Sequence, residues 1–197
     1  MNLLFVNKKV CKLNGGKIMY LKEEEAIRFV FKAFKGKKRS KEDIELAFHS
    51  ITVGYMLKDL GCSEEVVLTG FLHDIIEDTD YDYDYIVSNF SKNIADNVLS
   101  VSEDLSIINW KDRKEIFIRN LYDKQTDIIL VELADKLHNL VSDYDLFKKY
   151  GKDALSSSNA TYEDNKWYYL EMQKLFNSKL QKNKLLDRYN DIIDVYF

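Results

Sequence analysis

The chain has no proline and only seven glycines among its 197 residues. Proline removes a backbone donor and glycine weakens a helix interior, so their scarcity leaves long helices without the usual breakers. Cysteine is rarer still, with Cys11 and Cys62 alone. Two thiols outside any Cys-x-x-Cys pair cannot build a disulfide framework, and reduced thiols in a cytoplasmic protein are the expectation. No apolar run approaches the roughly 18 residues that a membrane span needs. The opening "MNLLFVNKK" lacks both a basic leading region and an adequate apolar stretch, which argues against a secretory signal. Positive charge is in deficit as well. A net charge of −4 and a pI near 5.5 argue against a general nucleic-acid binder, which would normally be basic. Small molecules or proteins are the expected partners.

What is present is apolar, helical and acidic. A 46% apolar composition over this length suffices for one sizeable core, and length favours one domain. Residues 1–20 differ from the rest: Asn14-Gly15-Gly16 between two short apolar runs is a hairpin signal. From Leu21 the spacing turns helical, with acids in the first turn of "LKEEEAIRFVFKAF". After the basic loop "KGKKRSKED", a helix is expected from about Lys41 to Leu60. Its stripe is Leu46, His49, Val53, Met56 and Leu60, and Gly61 is its stop. Ser63 is the expected N-cap of a helix reaching Glu77. Two short helices, two long ones and two C-terminal ones (162–180 and 184–196) follow. The fold class is all-α: a 1–20 extension with a short hairpin, then a single helical domain over 21–197.

The chemistry concentrates where histidine, of which there are only three, meets carboxylate. An apolar segment ends in "FLHDIIEDTDYDY", so His73-Asp74 sits at its inner end with Glu77, Asp78 and Asp80 just beyond. His49 lies in an apolar stripe. Asp135 borders the stripe of Leu130, Leu133, Ala134, Leu137, Leu140 and Val141. Each alone has an ordinary reading as a hydrogen-bonded core residue, but four desolvated polar groups together need a positive partner. Two imidazoles and two carboxylates suit a divalent transition ion such as Mn²⁺, Fe²⁺, Co²⁺ or Zn²⁺. Four protein ligands on a six-coordinate ion leave room for water and substrate, as a hydrolase requires. Glu77 and Asp78 lie four residues beyond His73 and Asp74, spaced to orient a water and take its proton.

"HDIIEDT" with "LADKLHNL", preceded by a histidine at position 49, resembles the HD-domain metal-dependent phosphohydrolases. Within them the chain is similar to the hydrolase domain of RelA/SpoT homologues and to the small alarmone hydrolases, over roughly Glu23 to Tyr169. The resemblance implies an HD-domain helical bundle in which His49, His73, Asp74 and Asp135 bind one Mn²⁺. It implies Glu77 and Asp78 as the catalytic acids and Asn139 as a nucleotide-pocket residue. The implied reaction is removal of pyrophosphate from the 3′ position of (p)ppGpp.

A polyanionic substrate needs cations, and "KAFKGKKRSK" is the richest source. The resemblance puts Lys37 and Arg39 on the nucleotide, Arg39 as a stacking partner and Lys37 as a phosphate partner; the ordinary alternative is a solvated loop. His138 is expected to support the site by a hydrogen bond, with capping of a packing edge as the alternative. Trp110, Trp167, Tyr168 and Tyr169 are expected to pack the core, and Arg113 and Lys114 to form surface salt bridges, with reach to a phosphate as the alternative. One departure is plain. Many relatives carry "PYxxHP" around the first histidine, where this chain has "ELAFHSI", which leaves base preference open. The chain has no length for a synthetase domain, so hydrolysis without synthesis is expected. The competing readings are an HD hydrolase of another nucleotide (an adenine alarmone, a 3′-phosphorylated metabolite or a deoxynucleotide) and a non-catalytic nucleotide-binding module.

Overall fold

Leu13–Asn14 (β1) pairs antiparallel with Lys17–Ile18 (β2), Leu13 opposite Ile18, as the hairpin signal anticipates. The computed structural model describes residues 13–14, 17–18, 21–39, 43–152, 156 and 159–197, so the other residues of the N-terminal segment and most of "KDALSSS" lie outside the described residues. Everything else of regular structure among the described residues is helical. Helix α1 (Lys22–Ala33) opens with Glu23, Glu24 and Glu25, which complement the N-terminal dipole, and buries Ala26, Phe29 and Val30.

Two boundaries differ from expectation. The helix expected from Lys41 starts at Ala47 and runs to Leu60 (α2), ending at Gly61 in the left-handed conformation. Instead of extending the helix, residues 37–39 pair with residues 44–46. Arg39 N–H donates to the Ile44 carbonyl at 2.9 Å and Leu46 N–H to the Lys37 carbonyl at 2.8 Å, so the basic segment is tied to the foot of α2. The helix expected to reach Glu77 stops early: α3 is Glu64–Leu72, capped by Ser63, and a separate turn, α4, covers Ile75–Asp78. The break falls on His73-Asp74, where Asp74 sits at φ −87° and ψ 0°, the sparsely populated region frequent at active sites.

Helices α5 (Tyr83–Asn89), α6 (Lys92–Val101) and α7 (Trp110–Leu121) follow, then the 25-residue α8 (Thr126–Tyr150), α9 (Tyr162–Lys179) and α10 (Lys184–Tyr196). Helix α8 is the axis, packed by α2, α3, α6, α9 and α10. Its burial of Ile128, Ile129, Val131, Leu133, Ala134, Leu137 and Leu140 exceeds one stripe because partners surround it. Helices α2 and α3 approach each other closely. A Cβ on Gly54 would strike the Phe71 ring, and one on Gly70 would strike Leu57. Side-chain-free backbone at both positions therefore lets the two helices close, and this closure brings His49 on α2 to His73 at the end of α3.

Candidate metal centre and its acidic flank

Four of the expected residues meet at one point. His49 Nε2 lies 3.1 Å from His73 Nε2 and 3.0 Å from Asp135 Oδ1, while His73 Nε2 lies 3.7 Å from that oxygen. Asp74 adds its two oxygens, 3.1 Å from His73 Nε2 and 3.5 Å from His49 Nε2. His49, His73 and Asp135 are buried, at 3%, 4% and 4% exposure, and together they could hold a metal ion. Two ligands each about 2.1 Å from an ion, at right angles, stand about 3.0 Å apart, so this spacing suits neighbouring ligands of one cation. The electrostatics agree. Burial works against charge on His73, yet Asp74 and Asp135 hold its pKa well above the ordinary imidazole value. The cluster demands a positive charge, and in the absence of a metal a proton supplies it.

Three of the four donors are aimed by a neighbour. His73 Nδ1 is 2.8 Å from the Gly70 carbonyl, one turn back on α3. A carbonyl only accepts, so Nδ1 carries the proton and Nε2 keeps a lone pair in the neutral ring. Asp135 accepts from Asn139 Nδ2 at 2.7 Å and from Lys136 Nζ at 2.6 Å. His138 reaches across from α8 to His49, with the two Nδ1 atoms 2.8 Å apart. The His138 support anticipated from sequence is therefore a direct bond to a candidate ligand. Burial, with His49 and Arg39 nearby, pushes the His138 pKa down to about 3, so the ring is neutral.

Beside the donors opens a cavity of about 330 Å³ that also takes in Glu77, Asp78, Arg39 and Asn139. Burial raises Glu77 to about 7 despite the 2.7 Å bond that its Oε1 accepts from Glu103 N–H. Burial, then repulsion from Asp74, raises Asp78 to about 6. Acids poised near neutrality can exchange a proton at working pH. Arg39 Nη2 donates to Asn139 Oδ1 at 3.1 Å, and Lys37 Nζ donates to the Asp78 carbonyl. The basic loop thus lies against the site, its two singled-out cations tied to Asp78 and Asn139. Trp110 and Trp167 pack against the core, and Tyr168 and Tyr169 are inside it, as expected.

The far wall was not legible beforehand. Arg113 and Lys114 do not make surface salt bridges: they pair with the Glu103 side chain, only 6% exposed, Arg113 at 3.0 Å, and Lys114 lines the cavity. Lys136 lines it too, 3.6 Å from Glu132 Oε2. The i, i+4 spacing of Glu132 and Lys136 signals a pair, but nothing in the sequence places that pair inside the molecule.

Glu132 is 1% exposed, and its Oε2 accepts no hydrogen bond. Burial lifts its pKa to about 8, against the pull of Lys136. Its unfolded value is near 4.5. Between these limits the folded chain keeps a proton that the unfolded chain has lost, so stability falls as pH rises across that window. The slope from one group is at most about 1.4 kcal/mol per pH unit. Urea titrations of the metal-free protein between pH 5.5 and 8.5 should show it, and Glu132→Gln should flatten it. Equal slopes in the two proteins would mean that Glu132 stays ionised beside Lys136.

Residues 26–146 match the HD domain family model. The chain belongs to the HD domain family. Its HD domain is 31% identical over 137 residues to a probable chloroplastic GTP diphosphokinase of Arabidopsis thaliana, covering 63% of this chain and 19% of that protein. It is 36% identical over 98 residues to a probable guanosine-3′,5′-bis(diphosphate) 3′-pyrophosphohydrolase of Synechocystis, covering 47% and 13%. The chain thus spans less than a fifth of the length of these relatives. Among solved structures, a metazoan ortholog of SpoT described as hydrolysing ppGpp superposes with a TM-score of 0.73 at 23% identity, over 91% of this chain and 97% of that one. A Listeria monocytogenes protein superposes at 0.67 with 27% identity, over 81% and 98%. The HD fold is therefore shared along most of this chain, beyond the stretch that sequence similarity reaches.

Proposed function

We propose that this HD domain is a metal-dependent phosphohydrolase that removes pyrophosphate from the 3′ position of (p)ppGpp-like nucleotides. The observation that carries this reading is the meeting, in one cavity, of a cation-demanding His/Asp cluster with two carboxyls raised toward neutral pH. The relatives named as 3′-pyrophosphohydrolases support the substrate class. His49, His73, Asp74 and Asp135 would hold one divalent ion, Mn²⁺ in our reading. That ion would supply Lewis-acid charge at the phosphate. Residues 21–197 form the catalytic unit, and among the described residues no helix is long and apolar enough to cross a membrane. In our reading the enzyme is cytoplasmic and its substrate a small molecule.

The chain's own groups then divide the work. Ionised Glu77 takes the proton of the attacking water, and Asp78 holds that water in line. The water oxygen bonds to the phosphorus next to the ribose 3′ oxygen, the bond from phosphorus to that oxygen breaks, and the ribose oxygen receives the proton as pyrophosphate leaves. Arg39 and Lys37, with Asn139 behind Arg39, hold the anionic nucleotide at the rim.

The deciding assay is turnover of a panel of guanine and adenine nucleotides, with and without a 3′-pyrophosphate, in Mn²⁺, with pyrophosphate as readout. Release only from the 3′-pyrophosphorylated members is the expected result. Monophosphate release, or turnover of deoxynucleotides instead, would give the site to another substrate, and binding without turnover would make it a non-catalytic module. In the same assay Lys37→Ala/Arg39→Ala should raise KM with kcat nearly unchanged, the loss of one contact alone accounting for about a ten- to hundred-fold rise. Each charge-assisted contact is worth roughly 1.5–3 kcal/mol in ground and transition states alike. An unchanged KM takes Lys37 and Arg39 out of substrate binding.

A further inference from the structure

Resting on the metal reading above, we infer that His138 is a positioning residue: its Nδ1 accepts the Nδ1 proton of His49 and so holds His49 in the one tautomer whose Nε2 can bind a cation. Two ring nitrogens 2.8 Å apart share a single proton, and the side it belongs to decides what the other end of His49 can do. With the proton on His49 Nδ1, the neutral ring presents a bare Nε2 to His73 and Asp135, 3.1 and 3.0 Å away. With the proton on His138 Nδ1, His49 carries its own at Nε2 and donates it to Asp135, which closes the donor cluster to a cation.

His73 meets the same requirement differently. Its Nδ1 faces the Gly70 carbonyl, which cannot donate, so only one arrangement exists. His49 has an imidazole in that place, and an imidazole can donate or accept. The tautomer of His138 is therefore a variable at this centre, and a cation selects the state with the His138 proton on Nε2. The partly exposed Phe48 ring, 5.9 Å from the His138 ring and tilted to it, flanks the imidazole on the outer side. Asn139, next in the chain, spends its Oδ1 on Arg39 and its Nδ2 on Asp135, and the Lys136 ammonium has no acceptor, so neither can take the proton in its stead.

The test has two arms. In the first, the full chain is loaded with diamagnetic Zn²⁺ and the histidine ring nitrogens are read by long-range ¹H–¹⁵N NMR. His49 should show a protonated Nδ1 and His138 a protonated Nε2 with an unprotonated Nδ1. In the second, Mn²⁺ affinity is measured by calorimetry for His138→Phe and His138→Gln. Phe offers no acceptor and should weaken binding roughly ten- to hundred-fold, the usual cost of losing a group that orients a metal ligand. Gln, whose Oε1 can accept the same proton, should recover most of the loss. A protonated His49 Nε2 in the loaded chain, or Phe and Gln variants that bind alike, overturns the inference while leaving the metal site standing. A wild-type chain that takes up neither ion overturns the metal reading and this inference together. If His138→Phe does not fold, the ring-nitrogen assignment of the wild-type protein decides alone.

Discussion

Glu77→Gln and Asp78→Asn should each lower kcat by roughly 10²–10⁴, the range that general-base and orienting groups supply, while bound metal stays near one equivalent. Glu77 is the sharper case. Its Oε1 already accepts the Glu103 N–H at 2.7 Å, a bond that the Gln carbonyl oxygen can keep, so the substitution removes the base and spares the scaffold. With burial holding Glu77 at about 7, the wild-type rate should also rise as pH climbs toward that value, because only the ionised carboxylate accepts a proton. Asp78 sits between Asp74 and Lys37, and Lys37 opposes the upward shift of its pKa. Turnover within a few-fold of wild type in both variants, at full metal occupancy, would remove the proposed roles and shift the search for a base to the cavity's far wall.

Asp74→Ala should behave differently, losing metal and turnover together. Asp74 faces both imidazoles of the cluster, and although burial opposes its charge, His73 keeps its pKa below the usual carboxylate value. Without it, one carboxylate remains beside two imidazoles, and a cation loses a ligand as well as half of the local negative charge. Elemental analysis after dialysis separates the two classes: empty for Asp74→Ala, occupied for Glu77→Gln. A fully loaded Asp74→Ala variant would take Asp74 out of the ligand set. Asp74 is a cleaner probe than Asp135, whose oxygens also pair with the buried Lys136. Removing that carboxylate would leave Lys136 with Glu132 alone, 3.6 Å away, and would disturb stability along with the ligand set, mixing unfolding with the chemistry.

Much of the site could be read from residue types and spacing. Histidine and aspartate on apolar segments are costly unless something pairs with them, and that cost marks His49, His73, Asp74 and Asp135 without knowledge of their contacts. Capping chemistry is equally local, which is why Ser63 and Gly61 end their elements where expected. The errors fall where distant contacts outweigh local preference. Apolar periodicity runs through His73-Asp74 without a break, but the helix ends there as the two side chains turn toward α2 and α8. The sequence from Lys41 to Leu46 has helical composition, yet Arg39 and Leu46 bond to the Ile44 and Lys37 carbonyls and α2 starts only at Ala47.

By itself the sequence determined the all-α class, the helices that carry His49 and Asp135 and the donor types, because periodicity, caps and the desolvation cost of charge are properties of short segments. Only the tertiary structure decided which cations are buried and which way the site's protons face. Lys114 and Lys136 become inner-wall residues, and His138 a partner of His49, through the packing of α8 against α2 and α3 and of α7 against α9. These contacts join residues as many as 89 positions apart, as His49 and His138 are, and no local preference encodes a distance of that kind.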